Sequence, residues 1–313
     1  MRRIEISSED LARAARLLLV RSLREATGLF AGNFVSAFRG GGLEFEESRP
    51  YVPGDDVRAL DWNATARSGE PFVKRFREER NQTLVFGLDV SGSMRFGTTG
   101  RAKAATAVHA LALMAVAAGR GGDCSGLMAF DREIRAEVSV GRGVGHTAGL
   151  IRTAVVAASA SGGGTDLAAG LRSIELATRQ RAVIVLFSDF RDGSPLPEPS
   201  QTAPLRAALV RLTRRHDVVA AVLVDPREEE LPSVGSVRIE DPERPGANLL
   251  LRTGSALARG RYRAACAARR MRLESELRNG GVEILWLRTD HSPFQALGRF
   301  FRERASRRSA VTA

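Results

Sequence analysis

From residue 82 to residue 287, short apolar runs alternate with stretches of helical periodicity, and few folds can bury runs of this kind. The segments 83–88, 182–188 and 218–224 are apolar at nearly every position rather than at every second one, as strands covered on both faces are. Further strands are expected at 125–130, 134–140 and 282–287, and helices at 102–118, 147–157, 167–178, 204–215, 257–277 and 294–303. Strand and helix in alternation specify a doubly wound α/β fold of Rossmann type, with a six-stranded, mostly parallel sheet and helices on both faces. Ligands of such sheets bind beyond the carboxyl ends of the strands.

At that end of the first strand stands Asp89-Val90-Ser91-Gly92-Ser93. Gly162-Gly163-Gly164-Thr165 opens the helix at 167–178, and Ser188-Asp189 closes the strand at 182–188. Asp89, Ser91, Ser93, Thr165 and Asp189 together supply two carboxylates and three hydroxyls, all oxygen donors. Without imidazole or thiolate such a set selects Mg²⁺, Mn²⁺ or Ca²⁺ over zinc or copper. Two carboxylates balance the ion, hydroxyls add ligands without charge, and the ion stays able to take an acidic oxygen from another molecule. Ser and Asp are also ordinary helix caps; three segments in order at strand and helix ends favour the metal reading. The glycines lack the Lys and spacing of a P-loop, so they are read as letting backbone approach the ion closely.

This constellation resembles the metal-ion-dependent adhesion site of von Willebrand factor A domains, Asp-x-Ser-x-Ser followed by a Thr and an Asp. The resemblance makes Asp89, Ser91, Ser93, Thr165 and Asp189 the ligands of Mg²⁺ or Mn²⁺, some through water, with one position left for a partner's Glu or Asp. It also implies strand order 3-2-1-4-5-6, with the 134–140 strand antiparallel at one edge. Upstream lie Phe38-Arg39-Gly40-Gly41-Gly42, Glu44 to Asp56 with Arg49-Pro50-Tyr51-Val52-Pro53-Gly54 inside it, Asp61-Trp62, and Phe76 to Arg80. These resemble the DUF58 family, whose members carry a von Willebrand A-like domain and are often encoded beside MoxR-type AAA+ ATPases. The resemblance implies a non-enzymatic protein-interaction module, an adaptor for such an ATPase acting on an acidic client.

The organisation expected is an N-terminal extension at 1–80, packed on the sheet, a von Willebrand A-like domain at 81–305, and a basic tail at 306–313. Ser7-x-x-Asp10 has the form of a capping box before a helix at 11–26. Tyr51, Trp62 and Phe72 are read as packing residues, and Asp55, Asp56 and Asp61 as turn and cap residues. Between 226 and 253 periodicity fails and Pro recurs, so a loop or small hairpin is expected near the metal.

With 43% apolar and 27% charged residues the chain has the composition of a globular protein, and no apolar run reaches membrane-spanning length. No secretory signal is visible, and a cytoplasmic protein is expected. Cys124 and Cys266 are too few for a disulfide framework and are read as buried packing residues. The net charge of +11 needs a reason. Arg259, Arg261, Arg263, Arg269, Arg270 and Arg272 on one helix, and Arg302, Arg304, Arg307 and Arg308 near the end, could bind nucleic acid. Glu274 and Glu276 interrupt the row and no reading motif accompanies it, so an acidic protein surface is preferred as partner. Metal-assisted phosphoester hydrolysis is the other alternative; it would need a base, and His109, His146, His216 and His291 lie in no motif.

Overall fold

The computed structural model describes residues 8–29, 43–53, 55–56, 59–78, 82–160, 162–191, 199–240 and 248–312. Helix α1 (Ser8–Leu29) comes first, then an antiparallel hairpin of β1 (Leu43–Pro50) and β2 (Phe72–Glu78), whose connection carries the short helix α2 (Trp62–Ser68). There follow β3 (Thr83–Asp89), α3 (Lys103–Gly121), β4 (Cys124–Phe130), β5 (Ile134–Gly141), α4 (Val144–Ser159), α5 (Leu167–Ala177) and β6 (Val183–Ser188). The chain continues through α6 (Pro199–Arg215), β7 (Asp217–Val224), the one-turn α7 (Pro226–Glu229), a second hairpin of β8 (Ser236–Glu240) and β9 (Asn248–Arg252), α8 (Ala256–Asn279), β10 (Glu283–Arg288) and α9 (Pro293–Thr312).

The central sheet has six strands in the order β10-β7-β6-β3-β4-β5, parallel throughout except for β5, which pairs antiparallel with β4 at the edge. Counted within the sheet, this is the order 3-2-1-4-5-6. Alternate residues of β3 serve opposite faces, because successive side chains of a strand point to opposite sides. Leu84, Phe86 and Leu88 join α3, α4 and α9 in one core through Leu111, Leu150 and Phe301. Val85 joins α5, α6 and α8 in the other through Leu171, Leu209 and Leu277. A strand apolar at every position is the signature of this two-sided burial.

Helix α3 is buried on nearly all sides from Lys103 to Ala118. It is the one helix among the described residues apolar and long enough to cross a membrane, yet 78% of that stretch is buried within the protein. A helix apolar all round needs cover on both flanks. The sheet covers one; α1 covers the other, where Ala26 meets Ala112, Val116 and Ile151. Glu25 of α1 also meets His109 of α3 at 3.1 Å. The N-terminal helix thus lies on helices α3 and α4 and completes the core.

The first hairpin forms a sheet of its own, separate from the central one. Asp61 caps α2, accepting from the amides of Asn63 and Ala64 at 3.1 and 3.2 Å and from Ser48 Oγ at 2.6 Å. Asp55 accepts both Arg49 guanidinium nitrogens, at 2.8 and 2.7 Å. These are turn and cap duties. Trp62 departs from the packing role expected of it: at the first position of α2 it is 71% exposed.

Other boundaries moved. Helix α9 runs on to Thr312, so residues 306–312 continue a helix and do not form a separate tail, and Arg304 is buried against Asp217 and Glu283. Helix α6 begins at Pro199, earlier than the 204 expected. The cysteines are both free and only half-buried. Ser7, Phe38 to Gly42, Gly54, Arg80, Pro242, Pro245 and Gly246 lie outside the described residues.

Because α1 supplies one wall of the α3 core, Ala26→Asp should destabilise the whole domain. An unpaired carboxylate against Ala112 and Val116 is expected to cost about 3 kcal/mol or more, read as a lowered urea midpoint with an unchanged slope. An unchanged midpoint would mean that α1 contributes nothing to domain stability.

Candidate metal centre

The strand order brings β3 and β6 side by side, Leu88 in register with Phe187, so that Asp89 and Ser188-Asp189 leave the sheet together. Here the chain turns outward in both directions from adjacent strands, the point where open α/β sheets hold ligands. Asp89 is fully buried and Asp189 is 5% exposed.

Each carboxylate has a different set of neighbours. Asp89 Oδ1 accepts from the amide of Ser91 at 2.9 Å, and Oδ2 from Ser188 Oγ at 2.6 Å. No cation pairs with it among the described residues. Burial first, and then the charge of Asp189, push the Asp89 carboxyl up to about 7. Asp189 accepts from the Lys103 ammonium, from the amide of Arg191 at 3.1 Å, and from the hydroxyl of Ser93. Burial pushes its carboxyl up too, but the charges of Lys103 and Arg191 more than offset this and hold it below the ordinary range.

The hydroxyls converge on the same place. Ser91 Oγ and Ser93 Oγ are 3.2 Å apart, and the turn after β3 is a short 3₁₀ segment, Gly92–Arg95. The Gly loop docks directly upon it: Gly92 donates to the carbonyl of Gly163 at 2.9 Å. A Cβ on Gly162 would stand 2.1 Å from the carbonyl oxygen of Val90, so this approach requires glycine. Thr165 follows on that loop, half-buried, just before Asp166 caps α5 by accepting from the amide of Ala169 at 2.8 Å. Asp89, Ser91, Ser93 and Asp189 are therefore brought together, and Thr165 is carried on the segment bonded to them.

Several contributors carry no motif of their own. Asp131, at the end of β4, accepts from the amide of Gly163 at 3.0 Å and from Arg135 Nε at 2.8 Å, which fixes the Gly loop from below. Phe190, directly after Asp189, has φ of +51°, a left-handed conformation costly for a residue with a side chain and concentrated at functional sites. Its amide donates to Ser188 Oγ at 2.9 Å. Lys103 opens α3 and reaches Asp189 and, at 2.7 Å, Glu228 Oε1 of α7. A signal for it existed: only two of the 47 basic residues are lysine, and one opens the core helix.

The donors fit a hard divalent ion. They are all oxygen, two are carboxylates, and one of these is buried without a compensating cation. No group of three or more His, Cys, Asp and Glu forms a metal cluster among the described residues.

An α/β domain with paired carboxylates at its switch point is the class that fold and site define. The chain belongs to the DUF58 family, described as "Protein of unknown function DUF58", whose profile matches residues 47–272. It is 33% identical to the uncharacterized protein Rv1480 of Mycobacterium tuberculosis over 314 aligned residues, which span all of this chain and 95% of that one. An uncharacterized protein of Mycobacterium avium, MAV169, is 33% identical over 146 residues, 47% of this chain and 79% of its own. Among solved structures, an aerotolerance-related membrane protein from Bacteroides fragilis aligns over 72% of this chain and 100% of its own, at 14% identity and a TM-score of 0.43.

The raised Asp89 carboxyl predicts a stability slope without metal. The folded state keeps this proton up to about pH 7, whereas the unfolded chain loses it near the ordinary carboxylate pKa. The native state therefore binds more protons across that window, and stability falls as pH rises, by about 1.4 kcal/mol per unit from this group. In EDTA, Asp89→Asn should lack that fall: equal to wild type near pH 4, it should be the more stable protein at pH 8. Urea melts of both at four pH values test this, and parallel curves would show that Asp89 is compensated.

Proposed function

We propose that this chain is a metal-dependent protein-interaction module of the von Willebrand factor A type, an adaptor for a MoxR-type AAA+ ATPase in remodelling or maturing a client protein, and not an enzyme. The observation that carries this reading is the Asp89–Asp189 pair, buried together among hydroxyl donors at the switch point with no cation on Asp89. The strand order agrees with the one the resemblance implies, and every position of the Asp-x-Ser-x-Ser, Thr, Asp pattern is filled.

Asp89, Ser91, Ser93, Thr165 and Asp189 would hold Mg²⁺ or Mn²⁺. When bound, the ion would supply a Lewis-acid position for a carboxylate oxygen. The local charges favour one such anion. With Asp89 ionised, as it would be on metal binding, Asp89, Asp189 and Glu228 stand against Lys103 and Arg191, a net charge of minus one. A divalent ion brings this to plus one, and one incoming carboxylate returns it to zero. On the rim the Arg132 guanidinium lies against Gly164 and adds attraction, while Arg135 is already paired with Asp131. Positive charge around such a position speeds encounter with an acidic surface. An ATP-driven partner also implies a cytoplasmic setting.

Nucleic-acid binding is less well supported, because several arginines of α8 are engaged within the protein. Arg263 pairs with Glu230, Arg270 with Glu229 and Glu274, and Arg259 donates to the carbonyl of Thr253 at 2.6 Å. Hydrolysis is less well supported, because the histidines are engaged or placed elsewhere among the described residues: His109 contacts Glu25, His146 the carbonyl of Ser125, and His291 Asp290, while His216 is buried against α6.

Two measurements test the proposal. Calorimetry should show one weak Mn²⁺ site that Asp89→Ala abolishes, and identical titrations would remove Asp89 from the site. Pull-downs from the native cell should recover an AAA+ ATPase in Mg²⁺, with at least tenfold less after EDTA or with Asp189→Ala. Recovery unchanged by both would place the interaction on another surface.

A further inference from the structure

Lys103 holds a position that a metal-binding reading does not by itself call for. Its side chain is 0% exposed at the first residue of the core helix, and its ammonium donates to Asp189 Oδ2 and, at 2.7 Å, to Glu228 Oε1. The Phe96 ring lies 5.9 Å from the same nitrogen.

Neither acceptor is free to swing away. Asp189 is held from its other oxygen by the amide of Arg191. Glu228 is fixed by a capping box, in which its second oxygen accepts from the amide of Asp225 at 3.1 Å. Asp225 is itself fully buried, bonded to Thr98 Oγ1 at 2.6 Å and Thr289 Oγ1 at 2.7 Å. The ammonium thus occupies a place set by three separate segments, and it shares Asp189 with the ion that the proposed function invokes.

We propose that Lys103 is a specificity-determining residue of the ion site: a resident cation that competes for Asp189 and keeps metal affinity low until a partner's carboxylate arrives. The inference rests on the metal reading above. A fixed positive charge on a shared ligand opposes a divalent ion, and an added anion relieves that opposition. Ion and partner then bind with positive coupling, each strengthening the other by the same factor. With a neutral residue at 103, Asp89 and Asp189 with the hydroxyls would hold an ion without any partner. A lysine suits this role better than arginine, because a compact ammonium fits between two carboxylate oxygens where a planar fork of five donors would need more acceptors.

Mn²⁺ binding to the full chain, followed by loss of the free-ion resonance signal, tests the proposal with Mn²⁺ alone as probe. Lys103→Met should tighten Mn²⁺ at least tenfold over wild type, and Mg²⁺ should raise its Tm more than that of wild type. Lys103→Met combined with Glu228→Gln removes one charge of each sign and leaves no unpaired Glu228. It should also tighten Mn²⁺ several-fold, which carries the test if the single variant folds poorly. Unchanged or weaker Mn²⁺ binding in the double variant, with Asp89→Ala still abolishing binding in the wild-type background, would overturn the role of Lys103 and leave the metal site standing. If wild type shows no Mn²⁺ binding that Asp89→Ala removes, the metal reading fails and this inference with it.

Discussion

Two carboxylates buried side by side set the terms for everything at the carboxyl edge of this sheet. Charge in a medium of low polarisability is costly unless it is paired and hydrogen-bonded, and like charges at close range add to that cost. The fold answers the cost unequally. Asp189 receives Lys103, Arg191 and Ser93, whereas Asp89 receives only an amide and hydroxyls. The imbalance leaves one carboxylate that a proton can neutralise or a cation can bind. A structural ion pair would have been balanced in itself; this cluster is one positive charge short once Asp89 ionises.

The same elements that bury the core hold this cluster. Helix α3 is the central apolar helix, and its first residue is Lys103, so the site cannot shift without shifting the helix on which β3, α1 and α4 pack. Ser188 and Phe190 bracket Asp189 at the end of β6, and after the left-handed turn at Phe190 the amide of Arg191 donates back to Asp189. On the opposite side Asp131 clamps the Gly loop against the turn after β3. Close approach of two backbones at Gly162 replaces a side-chain wall, which keeps the hydroxyls of Ser91 and Ser93 within reach of each other. Rigid support of this kind is what a directional polar site needs.

Much of this was legible in the residues, and for physical reasons. Strands buried on both faces leave unbroken apolar runs, so β3, β6 and β7 could be placed to within a residue. Their carboxyl ends marked Asp89, Ser91, Ser93 and Asp189. Strand order came from the family resemblance, since periodicity says nothing of which strands are neighbours. Lys103 and Glu228 were not found, because they meet across 125 positions and each sits at a helix start, where charged residues are commonplace. Ser188 was passed over as the end of a strand. Trp62 was misread because a large aromatic is taken for a packing residue, and nothing local shows that the first position of α2 faces solvent.

The basic composition also changes meaning once partners are assigned. A net charge of +11 suggests an anionic partner spread over a wide surface. Yet Arg270 stacks on the Trp286 ring at 4.0 Å while pairing with two glutamates, Arg288 joins it on Glu229, and Arg304 is buried between Asp217 and Glu283. These guanidiniums tie α8, α9 and the strand ends together, and ordering them again around a phosphate backbone would break existing pairs. The arginines beside the Gly loop stand in a different setting. Arg132 lies against Gly164, and Arg135 pairs with Asp131, which holds the Gly loop. On the function proposed above, Arg132 would stand beside the hydroxyls and carboxylates as a local attraction for a single acidic side chain, not for a polyanion.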